Sequence, residues 1–270
     1  MDGMFLLAQI SDTHIVEHGR ELAPRVDTGA YLLVAVDHLN HLDPRPDLVL
    51  VTGDLVNDGR PEQYEHLREI LSRLEVPVRL MPGNHDHADQ LARSFPEHVI
   101  GADRPRRDGV IEGELRIVCL DTSRFPEPGG RLDPEQLQWL EATLDEAPDQ
   151  DTVVVLHHPP FPTGISHMDG MALDAGSSAA LAEVVWRRPN VERVLCGHLH
   201  RMIVRRWAGT IAMTVPSTAH AVALDLVPDN GGGWTLEPPA ITLHLWRRGE
   251  GIVTHQQPIG SFHGERFGAH

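Results

Sequence analysis

Apolar residues along this chain gather in short, nearly continuous runs: Phe5–Ile10, Leu48–Thr52, Val78–Met81, Leu115–Leu120, Val153–Leu156, Val194–Cys196 and Ile211–Val215. Each is rich in Val, Ile or Leu and short enough to be a strand buried on both faces. Between them lie stretches with helical spacing. Over 61–74, Tyr64, Leu67, Ile70, Leu71 and Leu74 share one face. Asp133 predicts a helix cap, with Pro134 at the first helical position and Gln136 placed to close a capping box. Leu137, Leu140 and Leu144 form the inner stripe of that helix. Two more helices are predicted over Thr28–Leu42 and Ala179–Arg187. Strands alternating with helices predict an α/β core. The pattern changes from Val222 onward, where a glycine turn at Gly231–Gly233 precedes ITLHLW and GIVTHQQ, the pattern of an antiparallel hairpin. A hairpin is marginal alone and must pack on something. The expected division is a catalytic domain over 1–220 and a C-terminal extension over 221–270, packed on the core as a cap or dimerisation surface.

Bulk properties narrow the partners. The 270 residues are 41% hydrophobic, enough for one sizeable core. Acidic residues outnumber basic ones 39 to 23, for a formal charge of -16. Such a surface repels long nucleic acids and anionic membranes. A small anionic substrate remains compatible if cations in the site supply local positive charge. Cys119 and Cys196, each in an apolar run, predict buried reduced thiols. The apolar run at the N-terminus is short and ends in Ser-Asp, which predicts a core strand rather than a leader or membrane span. These features together predict a cytoplasmic protein. Histidine is the outlier, at 18 residues.

The residues just past each strand are more informative. Phe5–Ile10 runs into Asp12-Thr-His14, Leu48–Thr52 into Gly53-Asp54, and Val78–Met81 into Asn84-His85-Asp86. Val153–Leu156 runs into His157-His158, and Val194–Cys196 into His198-Leu-His200. Sites in open α/β sheets form outside the carboxyl ends of strands, so these clusters can converge. A lone histidine at a strand end is most often a hydrogen-bonded structural residue, and a lone Gly-Asp is usually a turn. Five such clusters in series, each after an apolar run, are hard to explain that way. Aspartate, histidine and asparagine form a mixed oxygen and nitrogen set without thiolate, suited to Mn, Fe, Co or Zn. A carboxylate such as Asp54 can bridge two cations. Asn57, His167 and Asp169 flank the motifs and are candidates for contact with substrate.

The series D-x-H, GD, GNHD, HHPP and GHLH resembles the calcineurin-like metallophosphoesterase superfamily. QISDTHI, TGDLVNDGRPEQY, MPGNHD, LHHPPFP and CGHLH are similar to its class III cyclic nucleotide phosphodiesterases and the related bacterial glycerophosphodiesterases. The resemblance implies a four-layer α/β/β/α sandwich around two metal ions. Asp12, His14 and His200 would hold one ion, Asn84, His157 and His198 the other, and Asp54 would bridge them. His85 would be the catalytic histidine, while His158 would pack or orient its loop. His220 matches a histidine near the site in the glycerophosphodiesterase group, a further candidate for substrate contact. Asp86 is expected to hold its loop and His87 to be solvated. A homo-oligomer, dimer or higher, is expected; with no cysteine after Cys196, no disulfide in the C-terminal part would hold it.

A phosphodiester is anionic and resists an anionic nucleophile. Two metals about 3.5–4 Å apart lower the pKa of a bridging water and neutralise phosphate oxygens. The expected reaction is attack by a metal-bridging hydroxide on a small diester, a 3',5'-cyclic nucleotide or a glycerophosphodiester. His85 would stabilise charge or protonate the leaving alkoxide. The alternatives are a phosphomonoesterase or nucleotide pyrophosphatase on the same centre, and a non-catalytic scaffold.

Overall fold

The computed structural model describes residues 3–101, 108–111, 113–228 and 230–263. Two sheets carry most strands. The first has the order β13 (Gly251–Pro258), β12 (Ala240–Arg247), β1 (Met4–Ile10), β2 (Leu48–Thr52), β3 (Val78–Met81). The second runs β4 (Gly109–Ile111), β5 (Arg116–Leu120), β6 (Thr152–Leu156), β7 (Val191–Cys196), β9 (Thr210–Thr214), β8 (Ile203–Trp207). β1, β2 and β3 are parallel, as are β5, β6, β7 and β9. Antiparallel strands finish the sheets: β12 and β13 on the first, β4 and β8 on the second.

Alternation along each run divides the core. In β2, Val49 and Val51 join a cluster with Leu32, Val36 and Leu39 of helix α1 (Thr28–Asn40) and Tyr64, Leu67 and Ile70 of α2 (Pro61–Leu71). In β6, Val154 and Leu156 join Leu140 and Leu144 of α4 (Pro134–Asp145) and Leu181, Val184 and Val185 of α6 (Ala175–Trp186). The alternate residues, among them Leu7, Leu50, Ile117, Cys119, Val153, Val155 and Leu195, form a third cluster that joins the two sheets. Strands apolar on both faces are what such burial requires. Both cysteines are free and buried.

The helices follow local chemistry. α2 stops at Leu71, so Leu74 packs against the core from outside the helix. α4 begins where Gln136 Oε1 accepts the Asp133 N–H at 2.9 Å. α6 begins earlier than the apolar pattern indicated, because the Asp174 side chain caps it by accepting from the Gly176 and Ser177 amides. Two short helices, α3 (Ala88–Ser94) and α5 (Ser166–Asp169), lie in connecting segments. The C-terminal hairpin is integral to the first sheet: β12 pairs with β1 from Met4↔Arg247 to Gln9↔Thr242. No helix among the described residues is long and apolar enough to cross a membrane.

Candidate metal centre

The parallel strands deliver the polar clusters to one place. Asp12 N–H donates to the Gly53 carbonyl at 3.0 Å and His14 N–H to the Asp54 carbonyl at 2.9 Å, tying the ends of β1 and β2. His198 N–H, after β7, donates to the Asp12 carboxylate at 3.0 and 3.1 Å. His157 Nδ1, after β6, lies 2.8 Å from the Thr52 carbonyl. These contacts bridge the two sheets at their carboxyl ends.

The backbone there is unusual. Asp12, His14, Asp54, His198 and His200 all have positive φ, between 43° and 71°. Among the described residues only Arg25 and Ala208 share that trait without being glycine. Left-handed backbone costs a β-carbon-bearing residue free energy, and such residues gather at functional sites. Nothing in the residue types announced this. Glycines provide the remaining room. A β-carbon on Gly83 would strike the Asp54 carboxylate, and one on Gly53, itself at φ 95°, would strike the His157 ring. One on Gly197 would strike the Ser11 hydroxyl.

Seven side chains face one another in this space, all buried. Asp12, His14, Asp54 and His200 each bring a ligand atom within 4.8 Å of the others. His14 Nε2 is 3.1 Å from His200 Nε2 and 3.6 Å from Asp54 Oδ2. His200 Nε2 is 3.6 Å from Asp12 Oδ1. Asp54 Oδ2 also lies 3.3 Å from His157 Nε2, so one carboxylate oxygen faces both groups. Asn84 Oδ1 lies 3.2 Å from His157 Nε2 and 3.1 Å from His198 Nδ1. Two ligands of one ion at about 2.1 Å sit about 3.0–3.4 Å apart, so the donor set fits cations.

The outward nitrogens set the tautomers. A carbonyl only accepts, so Thr52 fixes the proton on His157 Nδ1. The His220 carbonyl, 3.1 Å from His200 Nδ1, does the same there. Both Nε2 atoms then face inward, as metal-binding imidazoles require. Burial pushes the Asp12 carboxyl up to about 7, with His157 opposing. Burial also works to raise Asp54, but His157 and His14 together hold it well below the usual carboxylate range. His157 is raised, its burial outweighed by Asp54 and Asp12. Burial keeps His14 and His198 neutral, well below the ordinary imidazole range.

The neighbours divide by contact. His157, His158 and His198 bring ring nitrogens within 4.8 Å of one another. His158, however, has Nδ1 2.8 Å from Thr122 Oγ1 and Nε2 3.2 Å from the Pro128 carbonyl, so both nitrogens are committed to protein. Asp86 accepts from the Leu55, Val56 and Gly83 amides and the Tyr64 hydroxyl, holding its loop. His87 is exposed but not idle: its ring caps α3, accepting the Gln90 N–H. His85 N–H donates to Asp54 Oδ1 at 2.9 Å, and its ring packs edge-on against His14 at 4.7 Å.

Among the remaining candidates, Asn57 reaches the cluster through its backbone, its carbonyl 2.7 Å from His85 Nδ1, while its side chain bonds Asp58. His220 lies beside the cluster, 4.5 Å from the His200 ring and 5.6 Å from His14. The Asp169 carboxylate accepts from Thr163 and Gly164 within its own loop. His167 is exposed on α5, beside Gly232.

Comparisons with known proteins agree with this geometry. The profile of the calcineurin-like phosphoesterase family matches residues 5–202. The chain is 38% identical to the "Probable glycerophosphodiester phosphodiesterase GpdQ" of Arcobacter nitrofigilis, covering 96% of this chain and 95% of that protein. It is 31% identical to the 3',5'-cyclic adenosine monophosphate phosphodiesterase CpdA of Escherichia coli K12, covering 78% of this chain and 75% of that one. A dimetal phosphatase of Danio rerio shares the fold at 16% identity, with a TM-score of 0.67 over 96% of this chain and 100% of its own. With seven buried donors in one place and a family match over most of its length, this chain belongs to the calcineurin-like phosphoesterases.

Proposed function

We propose that the protein is a metal-dependent phosphodiesterase that hydrolyses small diesters, of the glycerophosphodiester or 3',5'-cyclic nucleotide type for which its relatives are named. The observation that carries this is the buried set Asp12, His14, Asp54, Asn84, His157, His198 and His200 with His85 beside it. On this reading Asp12, His14 and His200 hold one cation, Asn84, His157 and His198 the other, and Asp54 both. Bound there, a pair of divalent cations supplies Lewis acidity, an acidified water and neutralisation of phosphate charge.

The chain's own groups do the rest. Asn84 would contribute a neutral oxygen, adding less negative charge to the site than a carboxylate in its place. The Asn57 carbonyl holds the proton on His85 Nδ1 and fixes the ring, leaving Nε2 to meet a substrate oxygen. From Nε2, His85 stabilises charge or delivers a proton to the departing alkoxide. His220 acts through its carbonyl, which orients His200. The extension over 221–270 serves as a cap or dimerisation surface packed on the core, a reading supported by the contacts of Val222 with Arg201 and of Trp234 with His220. A cytoplasmic homo-oligomer completes the reading.

The test is a panel of cyclic AMP, cyclic GMP, glycerophosphoethanolamine, bis-p-nitrophenyl phosphate and p-nitrophenyl phosphate, each with Mn, Fe, Co and Zn. Diesters should turn over faster than the monoester with at least one metal. A monoester preference would favour a phosphatase, and inactivity with every metal would favour a scaffold.

A further inference from the structure

The segment after the last ligand loop is fastened to that loop. His200 Nδ1 bonds the His220 carbonyl. The next residue, Arg201, donates to the Val222 carbonyl at 3.0 Å and to Glu237 at 2.6 Å. Between these anchors, β10 (Ala221–Val222) pairs with β11 (Trp234–Thr235), placing Val222 opposite Trp234. Ala223 N–H donates to the Gly233 carbonyl at 2.9 Å and secures the entry to β11.

This ribbon holds Trp234 close to the metal centre. Its ring stands edge-on to His220 with centroids 6.3 Å apart, and His220 in turn lies 4.5 Å from His200. Trp234 nevertheless remains 50% exposed. Leu224, Leu226 and Leu236 on the same segment are also exposed, on a chain whose formal charge is -16. Exposing a tryptophan forgoes a large burial term. Its packing partner His220 also packs on His200 and His14, so this tryptophan borders the site read as one for phosphate esters.

We infer that Trp234 is a specificity-determining residue whose ring stacks on a planar organic group of the diester, a nucleobase or an aryl ester, while the phosphate meets the metal centre. The inference rests on the phosphodiesterase reading and names the substrate group for that same site. Every base has a π-face, and stacking of a base on an aromatic side chain is worth about 1–3 kcal/mol. A glycerol ester offers no such face.

The experiment compares the metal-loaded native protein with Trp234→Ala and Trp234→Phe. Trp234→Ala should raise KM for cyclic AMP and bis-p-nitrophenyl phosphate about tenfold relative to that for glycerophosphoethanolamine, with the effect in KM rather than kcat. Trp234→Phe should restore most of the difference. Calorimetric binding of adenosine 5'-monophosphate against glycerol phosphate should show the same selective loss in Trp234→Ala. Equal changes for planar and non-planar ligands would overturn the inference. So would a shift in solution mass with equal losses on all substrates, which would assign the surface to a second copy of the chain. If the native protein hydrolyses no diester, the phosphodiesterase reading fails, and the binding comparison still decides the role of Trp234.

Discussion

Asn84 and His85 are adjacent, yet their contacts differ. Asn84 Oδ1 sits between two imidazole nitrogens, whereas His85 contacts the centre through its backbone N–H and ring edge. His85→Ala should therefore lower kcat by about two to three orders of magnitude, as expected for a lost acid or charge-stabilising group. Metal content by elemental analysis should stay near native; loss of metal would make His85 a structural support instead. Asn84→Ala should lose metal from one site selectively, and unchanged stoichiometry would remove Asn84 from the ligand set. Much of this residue scale is legible in the sequence, because D-x-H, GD, GNHD, HHPP and GHLH each end an apolar run. The positive φ of Asp12, His14, Asp54, His198 and His200 is not legible, since these residue types occur in both conformations. Nor is the commitment of His158 to Thr122 and Pro128, which lie 36 and 30 residues away in the chain.

Elements were readable where both faces are buried. β1, β2, β3, β5 and β6 appear as Val, Ile and Leu runs because helices cover one face and the other sheet covers the second. β8 escapes that signal: it is an edge strand with Val204, Arg205 and Arg206 exposed. β12 and β13 announced a hairpin, but its partner β1 lies more than two hundred residues away, and no local pattern marks a pairing of that span. The pairing makes β12 a structural necessity. Trp246 on β12 is 2% exposed in the cluster between the sheets, and its Nε1–H donates to Asp151 at 2.7 Å. Trp246→Ala should cost about 3–5 kcal/mol by cavity formation, read from urea unfolding of the metal-free protein. A loss under 1 kcal/mol would mean that this strand contributes little to the joint between the sheets.

At the scale of the molecule, that joint also sets a pH limit. His244 is buried between Gln9 on β1 and Thr254 on β13, and burial lowers its imidazole from 6.5 to about 3. Below 6.5 the unfolded chain takes up a proton that the folded chain refuses, so stability falls as pH drops from about 6.5 toward 3. Each such proton contributes a slope of about 1.4 kcal/mol per pH unit. His244→Gln should flatten the dependence of unfolding free energy on pH in this window by up to that amount. Identical slopes in the two proteins would show that His244 does not set the limit.

The space left by Gly53, Gly83 and Gly197 carries its own consequence. These residues offer no ligand, yet a β-carbon on any of them would collide with His157, Asp54 or Ser11. In a survey of every single substitution, they should prove as intolerant as the seven buried donor residues around them. The centre would then look larger on a map of mutational tolerance than in its chemistry. Anyone grafting it onto another backbone would have to transplant the emptiness along with the ligands.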